Sequence, residues 1–399
     1  MKSMNKLSAL RMSGTNLIKA KDHNSAVVLD LIRSQGPISR ADIARSTSLS
    51  RQTVQNIVAK LDELEMVELR SGVAVGRGHP GVNVSMRRNA AHFFGVHADR
   101  TWINFVLTDV FGEIRWNLKL SLPEQNIKHI HQVIVQGISI GRQETKDFAS
   151  NILGCGIAAA GPFDTETHLP DPTGFSSLGS TDSLTYLKET LALPVALSND
   201  ANAAAIGEEL YRGNGNQADF ATLHFGAGLG AALIIDGTIY QGAYGNIGEI
   251  GHIQVDPFGK KCHCGRLGCL EQYLSYDSLC RELALSPDES ESYEIIRNLI
   301  TIRSPELMNW ITSAALRLRQ AIQFLDALLS PSEIIITGTI PDELLNLLME
   351  EAKPYPLRIG STKDVIVLRG RAGKWSIAAG AAALALNTQF APSISRLML

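Results

Sequence analysis

The most informative part of the chain runs from residue 248 to residue 271 and reads GEIGHIQVDPFGKKCHCGRLGCLE. It contains three of the chain's five cysteines and a histidine ahead of them, namely His252, Cys262, Cys264 and Cys269. Three thiolates and an imidazole can close a tetrahedral zinc site, because zinc prefers soft sulfur and nitrogen ligands in four-coordination. Glu249 lies three residues before the histidine, and Glu271 lies two residues after the last cysteine. The spacing therefore predicts a metal site that holds two acids in position.

The composition of the chain is that of a soluble globular protein. Its 399 residues are enough for two or three domains, and 45% hydrophobic with 19% charged residues are ordinary values. No run approaches the ~20 apolar residues of a membrane span, and the N-terminus lacks the apolar core of a signal peptide. Cysteines clustered at metal spacing favour a reducing compartment, and Cys155 and Cys280 are expected to be buried bystanders. We therefore expect a cytoplasmic protein with no membrane segment.

Charge is divided unevenly along the chain. Residues 1–92 hold 14 Lys and Arg against 7 Asp and Glu, whereas the remainder holds 23 against 33. A basic N-terminal segment joined to an acidic body suggests a module that binds nucleic acid. Charge alone does not distinguish this from chance unevenness, so the helix pattern of the segment has to decide.

The N-terminal segment carries the pattern of a helix-turn-helix. An amphipathic helix is predicted around residues 27–32 and is broken at Gly36-Pro37. A short helix then begins near Ser39, whose hydroxyl can cap it, and a turn at 46–48 leads to a second helix from Ser50. The second helix is predicted to bury Val54, Ile57, Val58, Leu61 and Leu64. Its opposite, polar face is predicted to contact DNA through Ser50, Arg51, Gln52, Gln55, Asn56 and Lys60.

Two short strands and a glycine-rich loop follow the second helix. The strands are predicted at residues 66–69 and 82–84, and the loop over residues 76–81 reads GRGHPG. Glycine and proline let this loop approach a surface closely, and Arg77 could enter a narrow minor groove. The layout is that of a winged helix-turn-helix that binds DNA. A protein-interaction module of the same shape is the alternative.

From residue 93 onward the chain alternates between strand and helix patterns, which is typical of α/β architecture. Strands are predicted at residues 94–98, 103–107, 152–158, 195–197, 221–224, 231–236 and 333–336. Helical patterns occupy residues 127–148, 277–330 and 341–352. The sequence shows no internal repeat and no low-complexity segment.

An Asn-Asp pair stands at the end of one predicted strand and the start of a helix, within Ser198-Asn199-Asp200-Ala201. A helix N-terminus can bind polar groups, and Asp200 could act as a general base on a hydroxyl. Taken alone, the pair fits an ordinary helix cap equally well. Together with the 248–271 stretch it forms a set suited to a polyol, which needs several acceptors around its hydroxyls. The members of that set are Asn199, Asp200, Glu249, His252 and Glu271.

At these motifs the chain resembles the ROK family, which contains bacterial sugar repressors and sugar kinases. The strongest carriers are Glu249-x-Gly251-His252 and Cys262-x-Cys264-Gly265-x-x-Gly268-Cys269-Leu270-Glu271. The resemblance implies a two-lobed, ribonuclease-H-like α/β body of the actin and sugar-kinase type, with sugar between the lobes. The implied domains are a winged helix-turn-helix over residues 1–88, a first lobe over 89–197 with 380–399, and a second lobe with the zinc site over 198–379.

The resemblance carries over residue by residue. It implies that zinc is bound by His252, Cys262, Cys264 and Cys269, and that the sugar is contacted by Asn199, Asp200, Glu249, His252 and Glu271. His252 would serve both ligands, with one ring nitrogen on the metal and the other on a hydroxyl. His263 is the rival metal ligand, but neighbouring residues seldom share one tetrahedral ion. The segment 169–180 should line the pocket and lacks the Asn and Trp often seen there, so the sugar is expected to differ from glucose.

The phosphate-binding motifs of the family's kinases are degraded in this chain. The kinase pattern Asp-x-Gly-Gly-Thr is replaced by His97-Ala98-Asp99-Arg100-Thr101. A magnesium-associated carboxylate is thereby lost, and an aspartate stands where glycine permits close approach of the backbone to a phosphate. The second loop, residues 226–230, keeps its glycines but has Ala227 for the usual hydroxyl residue. Near the adenosine position, residues 337–339 read Thr-Gly-Thr instead of containing paired glycines.

Retained sugar contacts beside a degraded phosphate loop favour a sugar-responsive transcriptional repressor. We expect operator DNA to be bound by a homodimer or homotetramer, and a small sugar or sugar-phosphate effector to change that binding. No useful kinase activity is expected, because phosphoryl transfer depends on positioning and charge neutralisation. Asp200 would then be a sugar acceptor and not a catalytic base. The competing hypotheses are an ATP-dependent sugar kinase that also binds DNA and a repressor controlled by a protein partner.

Overall fold

The computed structural model of the protein describes residues 17–71, 82–146, 151–161, 163, 174–212, 219–242, 247–286, 289–356, 358, 360, 362 and 364–390. The chain separates into two compact units. One comprises residues 1–90 with 387–399, and the other comprises residues 91–386. The predicted limits of the two lobes stay predictions, because this division keeps the whole body together.

The first unit is a helix-turn-helix followed by a small sheet. Its elements are α1 (Leu17–Gln35), β1 (Ile38–Ser39), α2 (Arg40–Thr47), α3 (Arg51–Glu63), β2 (Val67–Ser71) and β3 (Val82–Met86). The three strands form an antiparallel sheet in the order β1-β3-β2. The predicted winged helix-turn-helix is therefore confirmed. The sequence does not reveal β1, because two residues are too few for an alternating pattern.

Capping side chains fix both helices of the helix-turn-helix. Ser39 Oγ and Ser50 Oγ each accept a hydrogen bond of 3.1 Å from the backbone N–H three residues later. Between them, Ser48 adopts a φ of 56°, a left-handed conformation that ends α2 and redirects the chain. The predicted core residues Val54, Ile57, Val58 and Leu61 are buried. Leu64 is 58% exposed, contrary to prediction, because α3 ends at the preceding residue and its helical spacing no longer applies.

The body opens with a mixed five-stranded sheet. Its strands are β4 (His92–Ala98), β5 (Trp102–Asp109), β6 (Ile114–Ser121), β7 (Ile152–Ala159) and β8 (Val195–Asn199), in the order β6-β5-β4-β7-β8. The first three are antiparallel neighbours, and β7 and β8 run parallel to β4. Helices α4 (Ile127–Glu144) and α5 (Thr181–Leu191) contribute apolar side chains to the core of this sheet.

Helix α6 (Asp200–Arg212) leads to a second five-stranded sheet. Its strands are β9 (Phe220–Phe225), β10 (Leu229–Ile235), β11 (Thr238–Ile239), β12 (Glu333–Gly338) and β13 (Val367–Arg369), in the order β11-β10-β9-β12-β13. An antiparallel meander followed by two parallel strands again forms the sheet. The body therefore repeats one topology, although no repeat is visible in the sequence, because strand order and burial preserve a topology without preserving residue identity.

Four helices accompany the second sheet. They are α7 (Tyr276–Glu282), α8 (Glu289–Thr301), α9 (Pro305–Leu329) and α10 (Asp342–Glu351). Apolar residues of these helices join those of the sheet in one core cluster. The region predicted as helical over 277–330 is thus shared by three helices. Within the described part of the chain, no helix has the length and apolar character needed to cross a bilayer.

Helix α11 (Ser376–Phe390) packs directly onto the backbone of the first sheet. A Cβ on Gly95 or Gly156 would overlap the carbonyl of Ala378 or Ala381. Such close approach requires glycine on the strands and small residues on the helix. Because almost every position of α11 between residues 377 and 386 is buried, alanine dominates its sequence and no polar face is present.

Candidate ligand pocket and metal centre

A cavity of about 830 Å³ in the body is lined by residues from both sheets. Small-molecule sites typically have ~300–1,000 Å³. The five residues predicted to contact a sugar all line it, namely Asn199, Asp200, Glu249, His252 and Glu271. These residues come from two segments about fifty positions apart in the sequence, so the fold itself assembles the candidate site.

Asn199 and Asp200 lie where β8 ends and α6 begins. Asn199 Oδ1 accepts a hydrogen bond of 2.8 Å from the backbone N–H of Asn202, and Asp200 Oδ1 accepts one of 2.8 Å from the next N–H along the chain. The pair is therefore a helix cap, and Asp200 Oδ2 faces Gly226 of the pocket wall. Burial raises the pKa of Asp200 to about 6, and the nearby charge of His97 opposes this shift. The carboxylate is thus ionised at neutral pH and has one oxygen available to a ligand.

Glu249, His252 and Glu271 form another part of the pocket wall. His252 lies between the two acids, with Nε2 3.9 Å from Glu249 Oε2 and Nδ1 3.6 Å from Glu271 Oε1. Burial raises the pKa of Glu249 to about 7, and the charges of Asp200 and Glu271 add to this shift. Several carboxylates thus face one cavity, which suits a ligand that carries many hydroxyl donors.

The ligand atoms of His252, Cys262, Cys264 and Cys269 all lie within 4.8 Å of one another. Cys262 Sγ is 3.6 Å from His252 Nδ1, and Cys264 Sγ is 3.6 Å from Cys269 Sγ. Around a tetrahedral ion with metal–ligand distances of about 2.0–2.3 Å, neighbouring ligand atoms are roughly 3.5–3.8 Å apart. The four residues can therefore hold a tetrahedral metal ion.

His263 belongs to a second possible ligand set, made of His252, Cys262, His263 and Glu271. This set would leave Cys264 and Cys269 without a metal, although their sulfur atoms approach to 3.6 Å. The first set uses all three clustered cysteines. His263 Nδ1 then lies 3.1 Å from Glu271 Oε1 and can hold that carboxylate in place. Nothing in the sequence pattern had indicated this positioning role for His263.

Two glycines shape the loop that carries the cysteines. Gly265 and Gly268 have φ of 88° and 62°, in the left-handed region that favours glycine. A Cβ on Gly268 would also overlap the carbonyl of Asp256. The backbone N–H of Cys262 donates to Arg266 O at 2.8 Å, which closes the turn. The glycines in Cys-x-Cys-Gly-x-x-Gly-Cys therefore let the chain fold back so that the thiols converge.

In the turn at residues 97–101, the side chain of Arg100 pairs with an acidic residue from elsewhere in the chain. Arg100 donates two hydrogen bonds of 2.7 Å, one to each carboxylate oxygen of Asp277. Asp277 lies in the first turn of α7, and its backbone N–H donates to Ala227 O at 3.3 Å. The Arg100–Asp277 ion pair therefore connects the two loops that resemble the phosphate-binding loops of kinases. The guanidinium of Arg100 is therefore engaged by a carboxylate of the same chain.

Helix α3 presents a polar surface. Its predicted DNA contacts Arg51, Gln52, Gln55, Asn56 and Lys60 are all exposed. Gln52 Nε2 donates to Asn56 Oδ1 at 3.0 Å, so these two amides are arranged as a pair. The hydroxyl of Ser50 is also exposed but is engaged in the cap of α3. Arg77 and the loop 76–81 lie outside the described residues.

The chain combines an N-terminal winged helix-turn-helix with an α/β body of two similar sheets and an acid-lined pocket. This combination defines the class of sugar-kinase-like proteins that carry a module of the DNA-binding type. Residues 93–388 match the model of the ROK family, and the chain belongs to that family. Residues 23–78 match the model of the MarR family.

Two proteins with similar sequences are named as repressors. The xylose repressor of Bacillus subtilis strain 168 is 27% identical over 321 residues, which cover 80% of this chain and 83% of that protein. The DNA-binding transcriptional repressor Mlc of Escherichia coli K12 is 27% identical over 351 residues, which cover 86% of this chain and 81% of that protein. Both alignments span most of each chain.

Solved structures with this fold include a regulator and a kinase. A ROK family transcriptional regulator, described as a homologue of the Escherichia coli MLC protein, has a TM-score of 0.74 at 24% identity over 95% of this chain and 99% of that one. A ROK family glucokinase from Streptomyces griseus, in complex with glucose and AMPPNP, has a TM-score of 0.61 at 25% identity over 74% and 99%. The two-lobed α/β fold is confirmed, and it alone does not separate regulator from enzyme.

Proposed function

We propose that this chain is a sugar-responsive transcriptional repressor, which binds operator DNA through its winged helix-turn-helix and a small sugar in the pocket of its body. One observation carries the proposal. An acid-lined pocket lies beside the turn at residues 97–101, in which Arg100 is paired with Asp277, and the same chain presents an exposed polar face on α3. The similarity to the xylose repressor and Mlc over most of the chain supports it.

The sugar contacts that we propose are Asn199, Asp200, Glu249, His252 and Glu271. Their common feature is a position on the cavity wall together with acceptor or donor atoms suited to hydroxyls. Glu271 would be oriented by His263, and its carboxylate also lies 3.0 Å from Sγ of the metal-site residue Cys262. The sugar would thus be held by groups whose own positions are fixed, which limits the entropy lost on binding.

The metal that we propose is zinc, bound by His252, Cys262, Cys264 and Cys269. Three thiolates and one imidazole in a closed set are typical of structural zinc sites. When bound, zinc would supply fixed coordination and no reaction chemistry. His252 Nδ1 is the nitrogen near Cys262 Sγ, so Nε2 remains on the side of Glu249 and the pocket. The metal would thereby orient a sugar-binding imidazole.

We further propose that the chain has no useful kinase activity. In a kinase of this family Asp200 would be the catalytic base, and here it would act only as an acceptor. Asp99 and Arg100 stand in the turn where phosphates need glycine backbone, and Arg100 is engaged by Asp277. Phosphoryl transfer relies on positioning and neutralising the phosphate charges, and this turn does neither. An ATP-dependent sugar kinase that also binds DNA is the second candidate, favoured only by the likeness of the fold to the glucokinase.

On the DNA side, we propose that Arg51, Gln52, Gln55, Asn56 and Lys60 of α3 face the operator, with Ser50 at the start of the helix and Arg77 in the wing. Exposed amides at the N-terminal half of a recognition helix can read base edges in the major groove. We propose a homodimer or homotetramer, since a palindromic operator mirrors two-fold protein symmetry.

A gel-shift titration decides the repressor proposal. The operator can be obtained by selection from random duplexes with the full-length protein, and binding is then measured with a panel of neutral sugars and sugar phosphates. We expect at least one of them to weaken the operator complex. If none alters it and none binds in calorimetry, the sugar-responsive repressor is wrong. A coupled ADP-release assay with the same sugars, ATP and magnesium tests the kinase, and turnover that Asp200→Ala abolishes would establish the enzyme instead.

A further inference from the structure

His224 is a buried histidine at the pocket that the sugar set does not include. It lies in β9, is 2% exposed and lines the cavity next to Asp200. Nδ1 lies 3.0 Å from Thr337 Oγ1, whereas Nε2 is buried and has no hydrogen-bonding partner. A buried polar atom without a partner is destabilising by ~1–3 kcal/mol, so a ligand atom at Nε2 would remove a defect of the folded chain.

We propose that His224 is a sugar-contacting residue, and that His224 Nε2 and Asp200 Oδ2 together read one free hydroxyl of the effector. The inference rests on the proposed function, since it assigns a further contact of the same pocket. It also narrows the effector to a sugar whose hydroxyl at this point is not esterified with phosphate.

The position of Gly226 shows that the two groups face a common point. A Cβ built on Gly226 would lie 3.5 Å from Asp200 Oδ2 and 3.5 Å from His224 Nε2. Both distances are ordinary contacts, so one small group fits between the carboxylate and the imidazole. A hydroxyl placed there can donate to the carboxylate and accept from the imidazole at the same time.

Thr337 sets the chemistry of the imidazole. When the Thr337 hydroxyl donates to Nδ1, the proton of the neutral ring is on Nε2, which then donates toward the ligand. Burial lowers the pKa of His224 to about 4, against the opposing charge of Asp99. The ring is therefore neutral at physiological pH, and it can donate one hydrogen bond without adding positive charge to the pocket.

The charges around this point disfavour a phosphate ester. Asp200 is an anion at neutral pH, and Arg100, the cationic lining residue in the turn after β4, has both terminal nitrogens on Asp277. The other cationic residues among the described lining of the cavity are Lys261, Arg266 and Arg281, on the metal loop and α7. A phosphate between this carboxylate and a neutral imidazole would be repelled by the carboxylate and would gain no charge neutralisation from the imidazole.

Substitution of the histidine tests the contact. Calorimetry on the full-length, zinc-loaded protein would identify the tightest binder among D-xylose, D-glucose and N-acetyl-D-glucosamine and compare it with its monodeoxy analogues. In the wild type, one deoxy position should weaken binding by about tenfold or more. His224→Phe should weaken the parent sugar and reduce that ratio to about twofold or less. His224→Gln, whose amide reaches the position of Nε2, should keep most of the discrimination. Unchanged discrimination in His224→Phe would overturn the proposal.

A second variant fills the binding point and leaves the side chains of Asp200 and His224 unchanged. Gly226→Ala places a methyl between Asp200 and His224 at ordinary contact distance, so the body should fold but lose sugar affinity by at least about tenfold. Gly154→Ala is the matched control, because its Cβ also meets neighbours at 3.4–3.6 Å and the residue does not line the cavity. Thermal unfolding would verify that both variants fold. Normal sugar binding by a folded Gly226→Ala would contradict the assigned point.

The phosphate esters of the same three sugars complete the experiment. Binding of a neutral sugar with rejection of its ester is the expected result. Binding of an ester alone would overturn this inference and leave a sugar effector in place. If no sugar and no ester binds, the proposed function fails, and the contact of His224 fails with it.

Discussion

A single residue, Asp200, is expected to make sugar binding depend on pH. Burial raises the pKa of its carboxyl to about 6, so it is mostly ionised at pH 7 and mostly protonated at pH 5. A sugar hydroxyl donates to the ionised form, and the affinity should therefore fall as the pH drops through 6. From pH 7 to pH 5 the ionised fraction of Asp200 falls about tenfold, so the calorimetric Kd should rise by at least about that factor, and protonation of Glu249, whose pKa is about 7, adds to the rise.

Asp200→Asn separates this titration from that of its neighbour Glu249. The pKa of Glu249 is raised by burial and then by the charge of Asp200, so removing that charge lowers it toward the ordinary range. The variant should bind more weakly at pH 7 and lose less affinity between pH 7 and pH 5. A Kd that still rises tenfold in Asp200→Asn would assign the titration to another group.

Substitution of a second single residue, Cys264, tests the metal site. Cys264→Ser should release the metal and lower the melting temperature by roughly 5–10 °C, because a structural metal contributes its binding free energy to folding. The measurements are metal analysis of the purified protein and thermal unfolding. Cys155→Ala is the control, since Cys155 is buried in β7 and burial raises its pKa to about 12, so it remains a thiol. Wild-type protein that contains no zinc when freshly purified would contradict the metal assignment.

At the scale of the elements, we expect some residues of α3 to contact base edges and others to contact phosphates. Asn56→Ala should weaken specific operator binding by about 10- to 100-fold and leave binding to unrelated duplexes nearly unchanged. Lys60→Ala should weaken both and reduce the salt slope by about one. Fluorescence anisotropy at several salt concentrations measures both effects. Glu63→Ala, at the last residue of α3, is the control. Equal losses on specific and unrelated DNA in Asn56→Ala would remove α3 from base recognition.

Elements with strong local signals were predictable from the sequence. The caps at Ser39 and Ser50 and the apolar face of α3 mark the helix-turn-helix, and the spacing of cysteines marks the metal loop. The two-residue strands β1 and β11 were not predictable, because only their hydrogen-bonded partners define them. The order in which strands pair within each sheet also produces the repeated topology, and no pattern of residues in the sequence shows that order.

Parts of the site that depend on distant residues escaped the sequence pattern. The Arg100–Asp277 ion pair joins positions 177 residues apart, and no local signal connects them. His224 and Thr337 are 113 residues apart and meet because β9 and β12 pair in parallel. His263 looked like a rival metal ligand, and only the position of Glu271 shows what else it can do. The sequence shows which residues carry possible ligand atoms, whereas only the tertiary structure shows how their side chains are oriented.

Across the body as a whole, the Arg100–Asp277 ion pair links the turn between β4 and β5 of the first sheet to helix α7, which packs with the second sheet. Its side chains are 18% and 24% exposed, so removing one partner leaves a largely buried charge without compensation. Arg100→Ala and Asp277→Ala should each lower the free energy of unfolding by roughly 1–3 kcal/mol, and the double variant by less than the sum. Denaturant unfolding of the four proteins measures this coupling. Additive effects would mean that the pair contributes no mutual stabilisation.

Over the whole molecule, the sugar and the operator must influence each other by the same factor if one equilibrium connects their sites. A sugar changes operator affinity only when it binds two states of the protein unequally. We expect the operator Kd to rise by about 5- to 150-fold in saturating sugar, and the sugar Kd to rise by the same factor when the protein is saturated with operator. Gel shift measures the first quantity and calorimetry measures the second.

Gly226→Ala is the control for this linkage, because it should block the sugar point between Asp200 and His224 and leave the helix-turn-helix unchanged. Its operator affinity should equal that of the wild type without sugar and should not respond to added sugar. Unequal factors in the two wild-type measurements would show that the sugar acts on DNA binding from some other site. Equal factors, with no response in the variant, would connect the pocket of the body to the operator through one two-state equilibrium.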